Sequence, residues 1–221
     1  MKKRSSKDGF TLIELLVVIA IIAVLASLVA GLSGTAGRKM KESRIQAEIA
    51  AIETAIEAYK VKFGHYPPDN PDDPVLNSLY YELTGALYSS TRGTFKDPMS
   101  GNIMSPKLIK ERFGVDGFVN GSKSKSELKK FYEPRPENVR HLSEQHGEDD
   151  EGHGHKSHHS DEVHVLCVPS PWPVSRDDQP VSIRGKMAKS INPWRYVSGR
   201  PVNNIKKFDL WAEYVIGDEV W

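Results

Sequence analysis

Hydrophobic and polar positions fall into distinct regimes along this 221-residue chain. From Phe10 to about Leu32 the positions are apolar, with Thr11, Glu14 and Ser27 as the polar exceptions. That run is about 20 residues, the span a helix needs to cross hydrocarbon. A small-residue segment, Gly31 to Gly37, follows and loosens the pattern, since each interior glycine costs a helix about 1 kcal/mol relative to alanine. Beyond it Ile45, Ile49, Ile52, Ile56, Tyr59 and Phe63 recur at spacings of four and three. This is one apolar stripe on an amphipathic helix, with Lys41, Glu42, Gln46, Glu48, Glu53, Glu57 and Lys60 on the remaining faces. Gly64 is a natural stop and Pro67-Pro68 forbids continuation. A helix from Phe10 to Phe63, rising about 1.5 Å per residue, would be roughly 80 Å long. The stripe is expected to lie on the sheet of its own domain, because an apolar repeat this short does not argue for a coiled coil.

The remainder reads as a separate folding region. Residues 65–75 hold four prolines and three aspartates and predict an ordered, turn-rich loop. Leu76 to Leu87 predicts a short helix with Leu76, Leu79, Tyr80, Leu83 and Leu87 on one side. Residues 89–130 mix Gly and Ser with isolated aromatics and give no clear period. Glu133 to Asp161 is polar and nearly without aliphatics, which predicts a solvated insertion. Val163 to Val168 reads as a buried strand, Trp194 to Val197 as a second, and Phe208 to Ile216 as a third. The third sets Phe208, Leu210 and Ala212 against Asp209, Trp211 and Glu213. Gly199 and Asn203-Asn204 mark the turn between the last two. A carboxy-terminal antiparallel sheet packed on the Ile45–Phe63 stripe is the economical arrangement.

Charge sharpens the picture at two places. The formal net charge is +1, so no general attraction to nucleic acid is expected. The first nine residues are basic, with Lys2, Lys3, Arg4 and Lys7 against Asp8, whereas Glu144 to Glu162 is acidic and histidine-rich. Flanking charge alone does not orient the apolar run, because Arg38, Lys39, Lys41 and Arg44 follow it. A removable secretory signal has a shorter apolar core, about 7–15 residues, and a better small-x-small site than Ala26 to Gly31 provides. The single cysteine, Cys167, excludes an intrachain disulfide. Glu14 is the anomaly: a carboxylate inside an apolar run costs several kcal/mol in lipid unless something partners it.

Gly9-Phe10-Thr11-Leu12-Ile13-Glu14-Leu15-Leu16-Val17-Val18-Ile19, after its basic leader, resembles the amino-terminal signature of type IV pilins and type II secretion pseudopilins. A weaker similarity continues through the Gln46–Phe63 helix into Gly64-His65-Tyr66-Pro67-Pro68. The final strands around Asn192-Pro193-Trp194-Arg195-Tyr196 and Phe208-Asp209-Leu210-Trp211 also look like those of the major pseudopilin class. The resemblance implies an α+β, pilin-like fold: a leader at 1–9, a membrane-spanning helix half at 10–32 and a periplasmic half at 33–64. A globular domain would follow at 65–221, with an insertion at 133–161. It implies cleavage between Gly9 and Phe10 by prepilin peptidase, N-methylation of Phe10, and assembly through Glu14 pairing with the Phe10 amine of a neighbouring copy. The implied partners are other copies, minor pseudopilins, the peptidase, an inner-membrane assembly platform and membrane lipid. The implied location is the inner membrane with the carboxy-terminal domain in the periplasm. Major pseudopilins often end in a calcium-holding loop; only Gly217 and Asp218 hint at one here, so no ligands are assigned.

Other candidate chemistry is sparse. Seven of eight histidines lie between His141 and His164, and His153-Gly154-His155 with His158-His159 have spacings that suit zinc, nickel or copper. A structural site needs convergent ligands on a rigid frame, so no metal and no cofactor is assigned. His164 and Cys167 point to opposite faces of a strand and do not make a nucleophile–base pair. Trp172, Trp194, Trp211 and Trp221 read as core or interface aromatics. No nucleotide-binding or hydrolase fingerprint occurs, and an enzyme is not expected. The readings in play are a secretion pseudopilus subunit, a type IV fibre or minor pilin for adhesion, motility or DNA uptake, and a single-pass anchored periplasmic metal-binding protein.

Overall fold

The computed structural model describes residues 10–142, 162–170, 191–216 and 219–220. The leader with Gly9, the cluster His146 to His159, Trp172, Gly217, Asp218 and Trp221 lie outside the described residues. The chain divides into two units, Met1–Arg44 and Ile45–Trp221, and helix α1, Leu12–Phe63, contributes to both.

In the first unit the large apolar side chains from Phe10 to Leu25 are each at least 48% exposed. Among the described residues no helix is long and apolar enough to cross a membrane. The expected membrane-spanning half is therefore not supported by the structure. The described side chains of this apolar stretch of helix end at Ser27, short of the roughly 20 residues a crossing needs.

The second unit is α+β. The predicted stripe is its spine: Ile45, Ile52, Ile56 and Tyr59 are buried, with Ile49 and Phe63 partly buried at its margins. Each fully buried apolar side chain of this kind contributes about 2 kcal/mol. The Tyr59 ring meets Phe63 at 4.5 Å and Phe131 at 5.5 Å. Its hydroxyl donates to Glu82 Oε2 at 2.9 Å. The stripe is thus secured to helix α2, Leu79–Thr84, and to the segment at Phe131 and Tyr132. Gly64, with φ +84°, donates its N–H to Lys60 O and ends α1 where the sequence places the stop.

Helix α2 is shorter than the expected Leu76–Leu87 because a polar side chain fixes its start and a glycine its end. The Asn77 amide donates to Pro74 O and Trp194 O while its oxygen accepts from Leu79 N. At the other end Gly85 takes φ +85°, and a Cβ there would sit 2.7 Å from Leu128 Cγ. Leu87 accordingly belongs to a strand. Strands β1 (Ala86–Ser89), β2 (Thr94–Lys96) and β3 (Ile103–Met104) pair antiparallel, and β4 (Gly121–Ser122) joins β1 in parallel, giving the order β3-β2-β1-β4. Helix α3, Pro106–Phe113, separates β3 from β4. It is capped by Ser105, whose hydroxyl accepts from Leu108 N.

Three two-stranded ribbons complete the described structure. Strand β5, Val139–Leu142, pairs antiparallel with β6, Val163–Leu166, so the stretch expected to be solvated from Glu133 is built into a ladder as far as Leu142, and its residues 143–161 lie outside the described residues. Val139 and Leu142, its rare aliphatics, are what the ladder uses. Strand β7, Arg195–Val197, pairs with β8, Asp209–Trp211, close to the predicted positions. The third predicted strand is broken, with β9 (Val215–Ile216) pairing β10 (Glu219–Val220) instead. Its predicted alternation also fails, because Asp209 is buried beside Phe208. The Asp209 carboxylate accepts from the amides of Val202, Asn203 and Asn204 at 2.6–2.8 Å. A side chain saturated by backbone donors can turn inward at little cost.

Glu82 is likewise committed to three donors, and it has no exposure. Its Oε2 accepts from Tyr59 Oη and Asn120 N, its Oε1 from Val119 N, each at 2.9 Å. Burial pushes its carboxyl pKa up, against the lowering effect of those same donors. Glu82→Gln sets an amide N–H against a backbone N–H, and Tyr59→Phe removes one donor from a buried acceptor. Each substitution is expected to destabilise by about 1–3 kcal/mol, read from urea denaturation midpoints at constant slope. A loss below about 0.5 kcal/mol for both would show that the cluster does not fasten α1.

Candidate functional site

The start of α1 brings three sequence features together. Phe10 is 83% exposed and precedes the helix. Thr11 occupies the position before its first residue, and Glu14 is the third residue of its first turn. Glu14 Oε2 accepts from Thr11 N at 2.9 Å and from Thr11 Oγ1 at 2.7 Å. Glu14 N donates back to Thr11 Oγ1 at 3.3 Å. This is a capping box, in which two otherwise orphaned backbone N–H groups are satisfied reciprocally. In the sequence Glu14 stands out by its charge and Thr11 does not, although Thr-x-x-Glu before an apolar run is itself a helix-start signal.

The arrangement gives Glu14 two separable capacities. Oε2 closes the first turn of its own helix. Oε1 has no hydrogen-bond partner among the described residues, so it can accept a cation from elsewhere. A carboxylate at a helix amino terminus is also favourably placed against the helix dipole. The structure does not join Phe10 to Glu14 within one chain, and Gly9 lies outside the described residues.

The remaining titratable groups belong to the second unit. His164 Nδ1 lies 2.9 Å from Asp97 Oδ2, both buried, and the His164 ring stacks on Tyr80 at 5.2 Å. His141, cross-strand from His164, has its ring 4.2 Å away and its Nδ1 3.0 Å from Glu162 Oε1. Cys167 is buried, and its thiol is pushed up to about 12 by that burial, with Arg140 and the Asn192 backbone opposing. It is a core thiol rather than a nucleophile at neutral pH. Trp194 is buried and Trp211 is 36% exposed. Among the described residues no group of three or more His, Cys, Asp or Glu is placed to hold a metal ion.

Residues 4–30 match the family described as the prokaryotic N-terminal methylation motif. That is the prepilin-type signature of type IV pilins and pseudopilins, and it spans Gly9, Phe10, Thr11 and Glu14. Comparison with curated proteins and with solved structures gives no match.

Two outcomes follow from this geometry. Thr11→Ala removes the cap and should cost the first turn about 1 kcal/mol, seen as roughly fivefold faster amide exchange at Glu14 with the Ile52 region unchanged. At the second site, burial raises the Asp97 carboxyl, but His164 and the Met99 and Ser100 amides outweigh it and hold the pKa below the usual value. The folded pKa is thus below the unfolded one, near 3.9. The associated stability is present above that value and disappears as pH falls through the folded pKa. Asp97→Asn should therefore flatten the acid limb of a stability-versus-pH curve below about pH 4. An unchanged limb would remove Asp97 from that role.

Proposed function

We propose that this chain is a structural subunit of a type II secretion pseudopilus. In this reading the leader through Gly9 stays in the cytoplasm and the apolar start of α1 anchors the precursor in the inner membrane. Prepilin peptidase cuts before Phe10 and methylates its amine. The single observation that carries the proposal is the methylation motif over residues 4–30, a range that includes Gly9, Phe10 and Glu14. The subunit then enters a periplasmic filament with copies of itself and minor pseudopilins on an inner-membrane assembly platform. The work done is mechanical, and no catalytic role is proposed.

The physical logic centres on one charge pair. A carboxylate within hydrocarbon is costly, about 2.5–3.5 kcal/mol on insertion scales. The free Oε1 of Glu14 can meet the methylated Phe10 amine of the next subunit, removing two unpaired charges together and fixing their stagger. A fibre or minor pilin is the second reading. It is favoured by the long excursion that departs from β5 and returns to β6, between the paired residues Leu142 and Val163. An excursion of that length suits a decorated subunit better than a compact piston component.

Native protein should give an intact mass and amino-terminal sequence beginning at N-methylated Phe10, whereas a start at Met1 overturns the reading. Glu14→Gln and Glu14→Ala separate the two capacities of the side chain. Glutamine can sustain a capping box but carries no charge. Both variants should remain in the membrane fraction and be absent from sheared filaments. Incorporation of the glutamine variant at wild-type level would leave capping, not pairing, as the role of Glu14.

A further inference from the structure

Residues 121–130 pair and pack through Gly121, Ser122 and Leu128, but their charged side chains serve neither the core nor the proposed assembly contact. They hold Lys123, Lys125, Lys129 and Lys130 against one acid, Glu127. Among the described residues none of these four lysines forms an ion pair. Exposed lysines are ordinarily solvated singly, and four cations in ten positions repel one another unless counter-charges arrive.

Lys125 and Lys130 both stand on a cleft of about 280 Å³. Its apolar side is Pro98, Met99 and Pro134, and Glu133 is the one acid on its rim. Met99 is 61% exposed, an uncommon position for a flexible apolar side chain. The walls are tied to the fold. The amides of Phe131 and Tyr132 both donate to Leu83 O. Met99 N donates to Asp97 Oδ1 at 2.7 Å, and the Asn120 amide donates to Lys129 O at 2.7 Å. Tyr132 Oη is engaged by Glu48 on α1. The cleft is therefore formed before any ligand arrives, which lowers the ordering cost of binding.

We propose that this cleft docks a carboxylate-rich peptide segment of a partner protein. Its acids sit on Lys125 and Lys130, and one apolar side chain lies against Met99 and the two prolines. Charge complementarity selects the acids, and the apolar wall selects a peptide over a bare polyanion. Nucleic acid is disfavoured because a single partly buried ring, Tyr132, makes no stacking platform for successive bases. The docking does not rest on the filament reading, since it concerns a surface of the second unit whether or not the chain polymerises.

The test uses the full chain in neutral detergent and a fluorescein-labelled peptide of alternating glutamate and leucine, followed by anisotropy. The glutamine–leucine peptide is the neutral control and an oligothymidylate of equal charge the nucleic-acid control. Binding should weaken with added salt. It should fall about tenfold or more in the double variant Lys125→Glu, Lys130→Glu, and about threefold in Met99→Ser. Lys107→Glu, on the exposed face of α3, should leave it nearly unchanged. A thermal midpoint near wild type in the double variant ties the loss to docking. Equal affinity in the double variant, equal loss in Lys107→Glu, equal affinity for the neutral peptide, or tighter binding of the oligothymidylate would each overturn the proposal.

Discussion

The second unit depends on a carboxylate that water does not reach. Glu82 brings together α1 through Tyr59, its own helix α2, and the loop at Val119 and Asn120. The apolar stripe from Ile45 to Phe63 supplies most of the attraction between helix and domain, but apolar contact is non-directional. It would tolerate α1 rotated or slid by part of a turn. A buried anion with three donors from two other places does not. Its cost if any donor is lost exceeds its net worth when all are present, and that asymmetry fixes the helix in one register.

The same device recurs elsewhere. Asp209 gathers three consecutive amides, Asp69 gathers those of Ser198 and Gly199, and Asp97 gathers Met99 and Ser100 while facing His164. The connections of this domain are long relative to its strands, several of which have only two or three residues. Ladders so short offer few hydrogen bonds. Turn carboxylates therefore do much of the holding that longer strands would otherwise do. The bonds to Asp97 and Asp209 hold both carboxyls below the usual carboxylate value, which ties that holding to pH.

Such a construction sets what could be read from the sequence. The Ile45–Phe63 stripe was legible because it runs long enough for a 3.6-residue period to show, and the strands near Val163 and Arg195 because their apolar runs are bounded by proline or glycine. The sheet formed by β1 to β4 was not, since no period survives in two to four residues. Asp209 was placed on the wrong face because alternation assumes carboxylates seek water, and here backbone amides substitute for it. Leu87 reads as part of α2 because nothing in the local pattern marks the positive-φ turn at Gly85, where the space a side chain would need is filled by Leu128, distant in sequence. At the amino terminus Gly9, Phe10 and Glu14 were legible as a motif, whereas the capping role of Thr11 was written in the same four residues and eclipsed by it.

The pairing of Leu142 with Val163 has a practical consequence. The two strands close on one rung, and His141 pairs with Glu162 beside it. Closing a longer or shorter excursion over such a rung changes the entropy only logarithmically, by about 0.6 kcal/mol per doubling. A change in the length of the connection that spans this rung therefore carries a small entropic cost, and an epitope or reporter grafted into it meets the same small term.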